Sequence, residues 1–333
     1  MEKEFKERIN LNTNLSNISK EICKRYNLGD YLSETIILVG YEDFNYILET
    51  TIGKYCVKIF NKERTDKDCR NYVDRIELAS NLNINTPKLY KYKNNGECDI
   101  VIENVKYRLC VFDYIDGESF FDLGITPNYD EIKEITRQMA NIHTATLKSD
   151  FIYDKWAIIN FKKEMQDKGR YLQSDDKKKL EDLLNKFLAI DMSKLPSAFV
   201  HGDIISTNVM KDTHNKLWII DFAVSNYLPR IIDLAVSACN LCLEANDKEM
   251  TINKIKMVIE EYEKYNKLTD YEIEQFPIFF DVANAMCILQ ISYLASLGEM
   301  TEEDKFWYEE SKQGLEFSNK SFWVEVFNNK KLI

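Results

Sequence analysis

Asp203, Asn208 and Asp221 stand five and thirteen residues apart in a chain of 333 residues. Apolar runs precede them at Phe199-Val200 and at Leu217-Trp218-Ile219-Ile220. Phosphoryl transfer to an alcohol calls for this set of groups. One carboxylate orients the hydroxyl and accepts its proton, while an amide and a second carboxylate hold the magnesium that bridges the phosphates. Val209-Met210 and Trp218–Ile220 predict a hairpin that turns at Asp212–Asn215 and brings Asn208 and Asp221 to one end. Any one of the three residues alone reads equally as a turn cap; the set and its order point to chemistry.

His201-Gly202-Asp203, the Asn208 that follows, and Ile220-Asp221-Phe222 resemble the H-G-D-x-x-x-x-N and I-D-F motifs of the aminoglycoside phosphotransferase and choline kinase-like family. These are small-molecule kinases with a protein-kinase-like fold. The resemblance implies an α+β, two-lobed architecture. Residues 1–115 would form an N-terminal nucleotide-binding lobe of antiparallel sheet with helices, and 116–333 a mainly helical C-terminal lobe that carries catalysis and the acceptor. It implies Asp203 as the catalytic base, Asn208 and Asp221 as the Mg2+ ligands, and ATP as the donor, with GTP left open. His201 then shapes the catalytic turn, and Asp233 caps the following helix and braces that turn.

The elements needed to position these groups follow in order. Residues 1–30 have helical periodicity through Ile18, Ile22, Cys23 and Tyr26. Three strand-like runs follow, at 35–39, 46–50 and 55–60. The loop between the first two holds Gly40 and Asn45, whose backbone amides and side-chain amide are the candidates for covering phosphate. Lys58 in the third strand is expected on the α- and β-phosphates, paired with an acid on the helix 67–82, with Asp74 preferred and Glu77 second. A hairpin around 103–105 leads to Phe112–Ile115, where Asp113, Tyr114 and Ile115 resemble the family's lobe connector and adenine slot. Helical stripes dominate after Tyr129, with His143 structural. Asp281 and Asn284, polar residues within the apolar stretch 276–297, are candidate acceptor contacts.

The chain is 45% hydrophobic and 30% charged, the composition of a folded protein. A net charge of −11 argues against nucleic acid or an anionic membrane as partner. No apolar run long enough to span a bilayer is read in the chain, and no signal peptide at Met1-Glu2-Lys3-Glu4. Eight scattered cysteines suit a reducing cytoplasm, and Cys239-x-x-Cys242 reads as core packing. The expected enzyme is a monomer or homodimer that phosphorylates a hydroxyl of a small molecule: an amino alcohol, a homoserine-like compound, an aminosugar or an aminoglycoside. Two alternatives are a protein serine/threonine kinase, disfavoured by the absence of A-P-E after I-D-F, and a pseudokinase, which the degenerate Gly40 loop favours and the intact Asp203, Asn208, Asp221 and Lys58 oppose.

Overall fold

A computed structural model describes residues 2–38, 43–146, 148 and 150–327. The chain divides after Gly117 into two units. The first contains α1 (Glu2–Arg8), α2 (Leu15–Tyr26), β1 (Tyr31–Ile37), β2 (Phe44–Thr50), β3 (Gly53–Ile59), α3 (Asp66–Ser80), β4 (Leu89–Tyr90), β5 (Cys98–Ile102) and β6 (Val105–Asp113). Its six-stranded sheet runs β1-β2-β3-β6-β4, with β5 also on β6, and every pairing is antiparallel. Alternation in β2 sends Phe44, Tyr46 and Leu48 to the core face, where Ile18 and Ile22 of α2 and Phe5 of α1 meet them.

Local chemistry explains the ends of these elements. The N-terminal helical stretch is two helices: Asn14 caps α2 by accepting from the Ser16 N–H, and Asn27, in the left-handed region, ends it. The β5–β6 turn is Glu103-Asn104, both with positive φ, the backbone that a two-residue hairpin favours. A reciprocal Thr65–Asp68 capping box starts α3.

The second unit contains β7 (Gly117–Ser119), α4 (Phe120–Leu123), α5 (Tyr129–Ile142), α6 (Phe161–Lys168), α7 (Ser174–Leu188), β8 (Ser197–Val200), β9 (Val209–Asp212), β10 (Leu217–Ile219) and β11 (Asn226–Pro229). Five helices follow: α8 (Ile231–Leu241), α9 (Lys248–Tyr262), α10 (Asp270–Leu297), α11 (Glu302–Phe317) and α12 (Lys320–Val326). Its strands form two small sheets, β10-β9-β7 and β11-β8. The α+β class and the division into a sheet-rich and a mainly helical part agree with the sequence reading.

One expectation is corrected here. α10 is 28 residues long and apolar enough to cross a bilayer by length and composition. More than half of its apolar window is buried within the second unit, where it packs on α6, α7, α8 and α11. Gln290 inside it donates to Lys155 O at 2.6 Å and to Glu164 at 2.8 Å. A buried amide satisfied by protein partners marks a core helix rather than a lipid-facing one.

Candidate active site

Strand β8 delivers the chain to His201 and is held by β11, with Val200 opposite Asn226. Gly202 follows with φ +86, and a Cβ there would stand 3.4 Å from Val224 O, so both backbone and space favour glycine. Asp203 then turns toward Asn208. The Asn208 Nδ2 donates to Asp203 Oδ2 at 2.7 Å and to Asp203 O at 3.0 Å. The β9–β10 hairpin pairs Val209 with Ile219, and the Ile220 N–H donates to Asn208 O at 3.0 Å. Asn208 and Asp221 therefore stand at the same end of the hairpin, as their spacing predicts. Asp221 is left-handed, with φ 63, a conformation that aspartate tolerates better than most residues; the Ala223 N–H donates to its Oδ1 at 3.2 Å.

A buried polar cluster supports the turn. The fully buried Asp233 accepts from the N–H groups of His201 and Gly202 at 2.8 and 2.7 Å. The same carboxylate meets His143 Nε2 at 3.0 Å, and His143 Nδ1 meets the Tyr262 hydroxyl at 2.7 Å. Burial pushes the Asp233 carboxyl up, but His143, His201 and the Gly202 N–H outweigh it, so it stays below the usual carboxylate range. Asp233 braces the turn as expected, but it is not the helix cap: Arg230 holds that position and Asp233 lies within the first turn of α8. His201 Nδ1 accepts from the Asp203 N–H at 3.2 Å, so its Nε2 carries the proton that bonds Ile220 O at 3.0 Å. Burial holds this imidazole below its ordinary value. With both nitrogens occupied by backbone, His201 shapes the turn and Asp203 is the group suited to be the base.

Burial pushes the half-buried Asp203 up, the charges of Asp154 and Asp221 push the same way, and the Asn208 hydrogen bond only partly opposes them, leaving Asp203 at about 7. A base poised near neutral pH suits proton transfer from an alcohol. Asp154 was not legible in the sequence, forty-nine residues upstream in a charged stretch. Its strap is held at both ends. The Asn226 amide bonds Ile152 N and O at 2.8 and 2.9 Å, and Gln290 takes Lys155 O.

In the first unit, the antiparallel register places Asn45 opposite Lys58. Lys58 Nζ lies 3.6 Å from Asp43 and 5.0 Å from the centre of the Tyr72 ring. The acid beside Lys58 is thus not Asp74 or Glu77. Asp74 faces solvent on α3, whose buried side carries Tyr72, Val73 and Ile76, and Glu77 pairs with Lys91 at 2.9 Å. Asp43, nearly fully buried, also accepts from Arg64 Nε and Nη2 at 2.8 and 3.0 Å and from the Asn61 N–H at 3.0 Å. Its position directly ahead of β2 was the signal available in sequence. The Asn45 Oδ1 is buried with no partner among the described residues. Gly40 lies outside the described residues. Asp113 ends β6 and accepts from the Tyr90 hydroxyl at 2.7 Å, Tyr114 is half-buried, and buried Ile115 accepts from the Gly117 N–H at 3.0 Å.

Asp281 and Asn284 are not brought to the Asp203 turn by any of their hydrogen bonds. Asn284 is buried in α10, donates to Phe280 O at 3.0 Å, and packs so closely on α11 that a Cβ at Gly314 would stand 2.5 Å from its Oδ1. Asp281 Oδ1 has no partner among the described residues; burial pushes this carboxyl up to about 7, against Ser318 and Lys186.

The donor set at the turn suits a hard cation. An amide oxygen and a carboxylate are ligands that magnesium takes together with phosphate oxygens, and because the Asn208 Nδ2 is committed to Asp203, the amide oxygen is left for the ion.

The model of the phosphotransferase enzyme family matches residues 34–259, more than half of the chain and the whole of this turn. The chain belongs to that family. Among curated relatives, this phosphotransferase is 24% identical over 293 residues to the homoserine kinase of Methylobacillus flagellatus, covering 86% of this chain and 88% of that one. It is 23% identical over 257 residues to the homoserine kinase of Zymomonas mobilis subsp. mobilis, covering 74% and 77%. Its fold is similar to that of a microcompartment-associated aminopropanol kinase, with a TM-score of 0.67 at 12% identity over 96% of this chain and 100% of that one. The phosphotransferase is a kinase-type enzyme with an ATP-binding kinase fold that acts on a small-molecule hydroxyl.

Proposed function

We propose that this phosphotransferase transfers the γ-phosphate of ATP to the hydroxyl of a small acceptor that also carries an amine, with homoserine the first candidate. The observation that carries the reaction is the Asp203–Asn208 contact of 2.7 Å beside Asp221. The acceptor rests on homoserine kinases among the relatives and an aminopropanol kinase among the fold neighbours.

Asp203 orients the acceptor hydroxyl and takes its proton as the oxygen attacks phosphorus. Asn208 and Asp221 hold magnesium, which supplies neutralisation of charge on the phosphate oxygens. Lys58 binds phosphate, held by Asp43 in the part expected of Asp74, and Asn45 lies opposite it on the neighbouring strand. The backbone of Asp113–Ile115 takes the adenine edge. Only nine residues, 222–230, separate Asp221 from α8, which leaves no long segment for docking a protein substrate. The eight free cysteines fit a cytoplasmic enzyme.

The test is ATP consumption by the purified protein against homoserine, 1-amino-2-propanol, ethanolamine, choline and an aminoglycoside, with mass detection of phosphorylated product. Product from homoserine at the highest kcat/KM supports the assignment; selective product from another acceptor reassigns it, and phosphorylation of protein alone overturns it.

A further inference from the structure

The turn that carries Asp203 and Asn208 makes two kinds of bonds. Inside it, the Ile205 N–H donates to Asp203 O at 3.1 Å and the Asn208 N–H to Ile205 O at 2.9 Å. Outward, four of its backbone groups are bound by a single face of α8. Asp233 accepts from His201 and Gly202, the Ser237 hydroxyl donates to Ile204 O at 3.1 Å, and the Asn240 Oδ1 accepts from the Ser206 N–H at 2.7 Å. Residues 233, 237 and 240 have the i, i+4, i+7 spacing of one helical face. The turn and the helix therefore run side by side in the same direction.

Ser206 stands midway between Asp203 and Asn208 and is nine-tenths buried. Its N–H is held by Asn240 and its C=O by the Phe121 N–H at 3.2 Å. A buried N–H that loses its acceptor must find another partner or bear the cost of being unsatisfied. Without Asn240, the cheapest relief is movement of the Ile205–Ser206 peptide, which also carries the carbonyl that closes the turn on Asn208.

We infer that Asn240, seconded by Ser237, is a positioning residue that sets the geometry of the Asp203–Asn208 couple through the backbone of Ser206 and Ile204. The rigidity comes from α8 itself, whose other side buries Ile231, Leu234, Ala235, Ala238 and Leu241. The inference rests on the phosphotransfer reading only for what the couple does; the effect on its geometry is independent of that reading.

The experiment compares wild type with Asn240→Leu, which removes the acceptor at similar volume, Asn240→Asp, which keeps an acceptor oxygen, and Ser237→Ala. Two quantities are measured: kcat and KM for ATP with the best acceptor, and hydrogen-exchange protection of the Asn208 side-chain amide by NMR. The expected result for Asn240→Leu is a fall in kcat of about ten- to a hundredfold, the scale of a misplacement below 1 Å, with KM for ATP within about twofold of wild type. Protection of the Asn208 amide is lost in parallel, Asn240→Asp restores both, and Ser237→Ala gives a smaller loss of each. Unchanged protection in Asn240→Leu overturns the inference, as does an Asp variant as impaired as the Leu variant. The exchange measurement needs no turnover, so it decides the matter even where the proposed acceptor proves wrong.

Discussion

Replacing Asp154 by asparagine should move the acidic limb of the pH–rate profile downward. Asp203 sits at about 7, with burial the largest cause and the charge of Asp154 the next, ahead of Asp221; Asp233 adds to the rise and Asn208 opposes it. The base must be ionised to take the hydroxyl proton, so wild-type kcat/KM should rise with pH through a midpoint near 7 and level above it. A like charge disfavours the ionised form, so its removal lowers the midpoint. Each 1.36 kcal/mol of repulsion that the substitution removes lowers the midpoint by about one pH unit. The assay is kcat/KM for the nucleotide from pH 5 to 9, because that ratio reports the free enzyme. The midpoint, not the plateau, is compared. An Asp154→Asn limb that stays in place or moves upward would refute the electrostatic account of Asp203.

Three further outcomes are expected. Asp233→Ala strands two backbone N–H groups and His143 in the core, a loss of about 3–5 kcal/mol, so the Tm should fall by about 10 °C; a fall under about 2 °C would contradict the bracing role. Lys58→Met should lower kcat/KM for ATP about a hundredfold or more. Its Tm should change little, because Arg64 still holds Asp43 with two hydrogen bonds. Gly314→Ala drives a Cβ into Asn284 and should cost about 1–3 kcal/mol by overpacking. The acceptor KM should be unchanged, whereas a raised KM would return Asn284 to the acceptor site.

The geometry of the Asp203 turn was legible because its contacts are local. Asp203 and Asn208 belong to one turn, and a hairpin of apolar strands brings Asp221 to them without any distant contact. The sheet of the first unit was legible for the same reason, since period-two alternation in β2 and β3 needs no tertiary information. What escaped depends on long-range register. Asp43 reaches Lys58 because β2 and β3 pair with Asn45 opposite Lys58, while the orientation of α3 turns Asp74 to solvent. Asp154 approaches the base through a strap fixed by Asn226 and Gln290, residues 74 and 135 positions from their partners. Asn284 was not separable from a pocket residue in sequence because a helical stripe does not say whether its neighbour is a cavity or another helix; here the neighbour is Gly314 of α11.

The most direct test of the central claim is phosphorus NMR of the wild-type protein and Asp203→Asn with ATP, magnesium and homoserine. Wild type should convert ATP to ADP with matching appearance of a phosphate ester on the acceptor. The Asn variant, which keeps the shape of the side chain but has no proton-accepting carboxylate, should form no ester while still binding nucleotide. Ester formed by Asp203→Asn at near wild-type rate, or ADP released by wild type with no ester on any acceptor of the panel, would contradict the account.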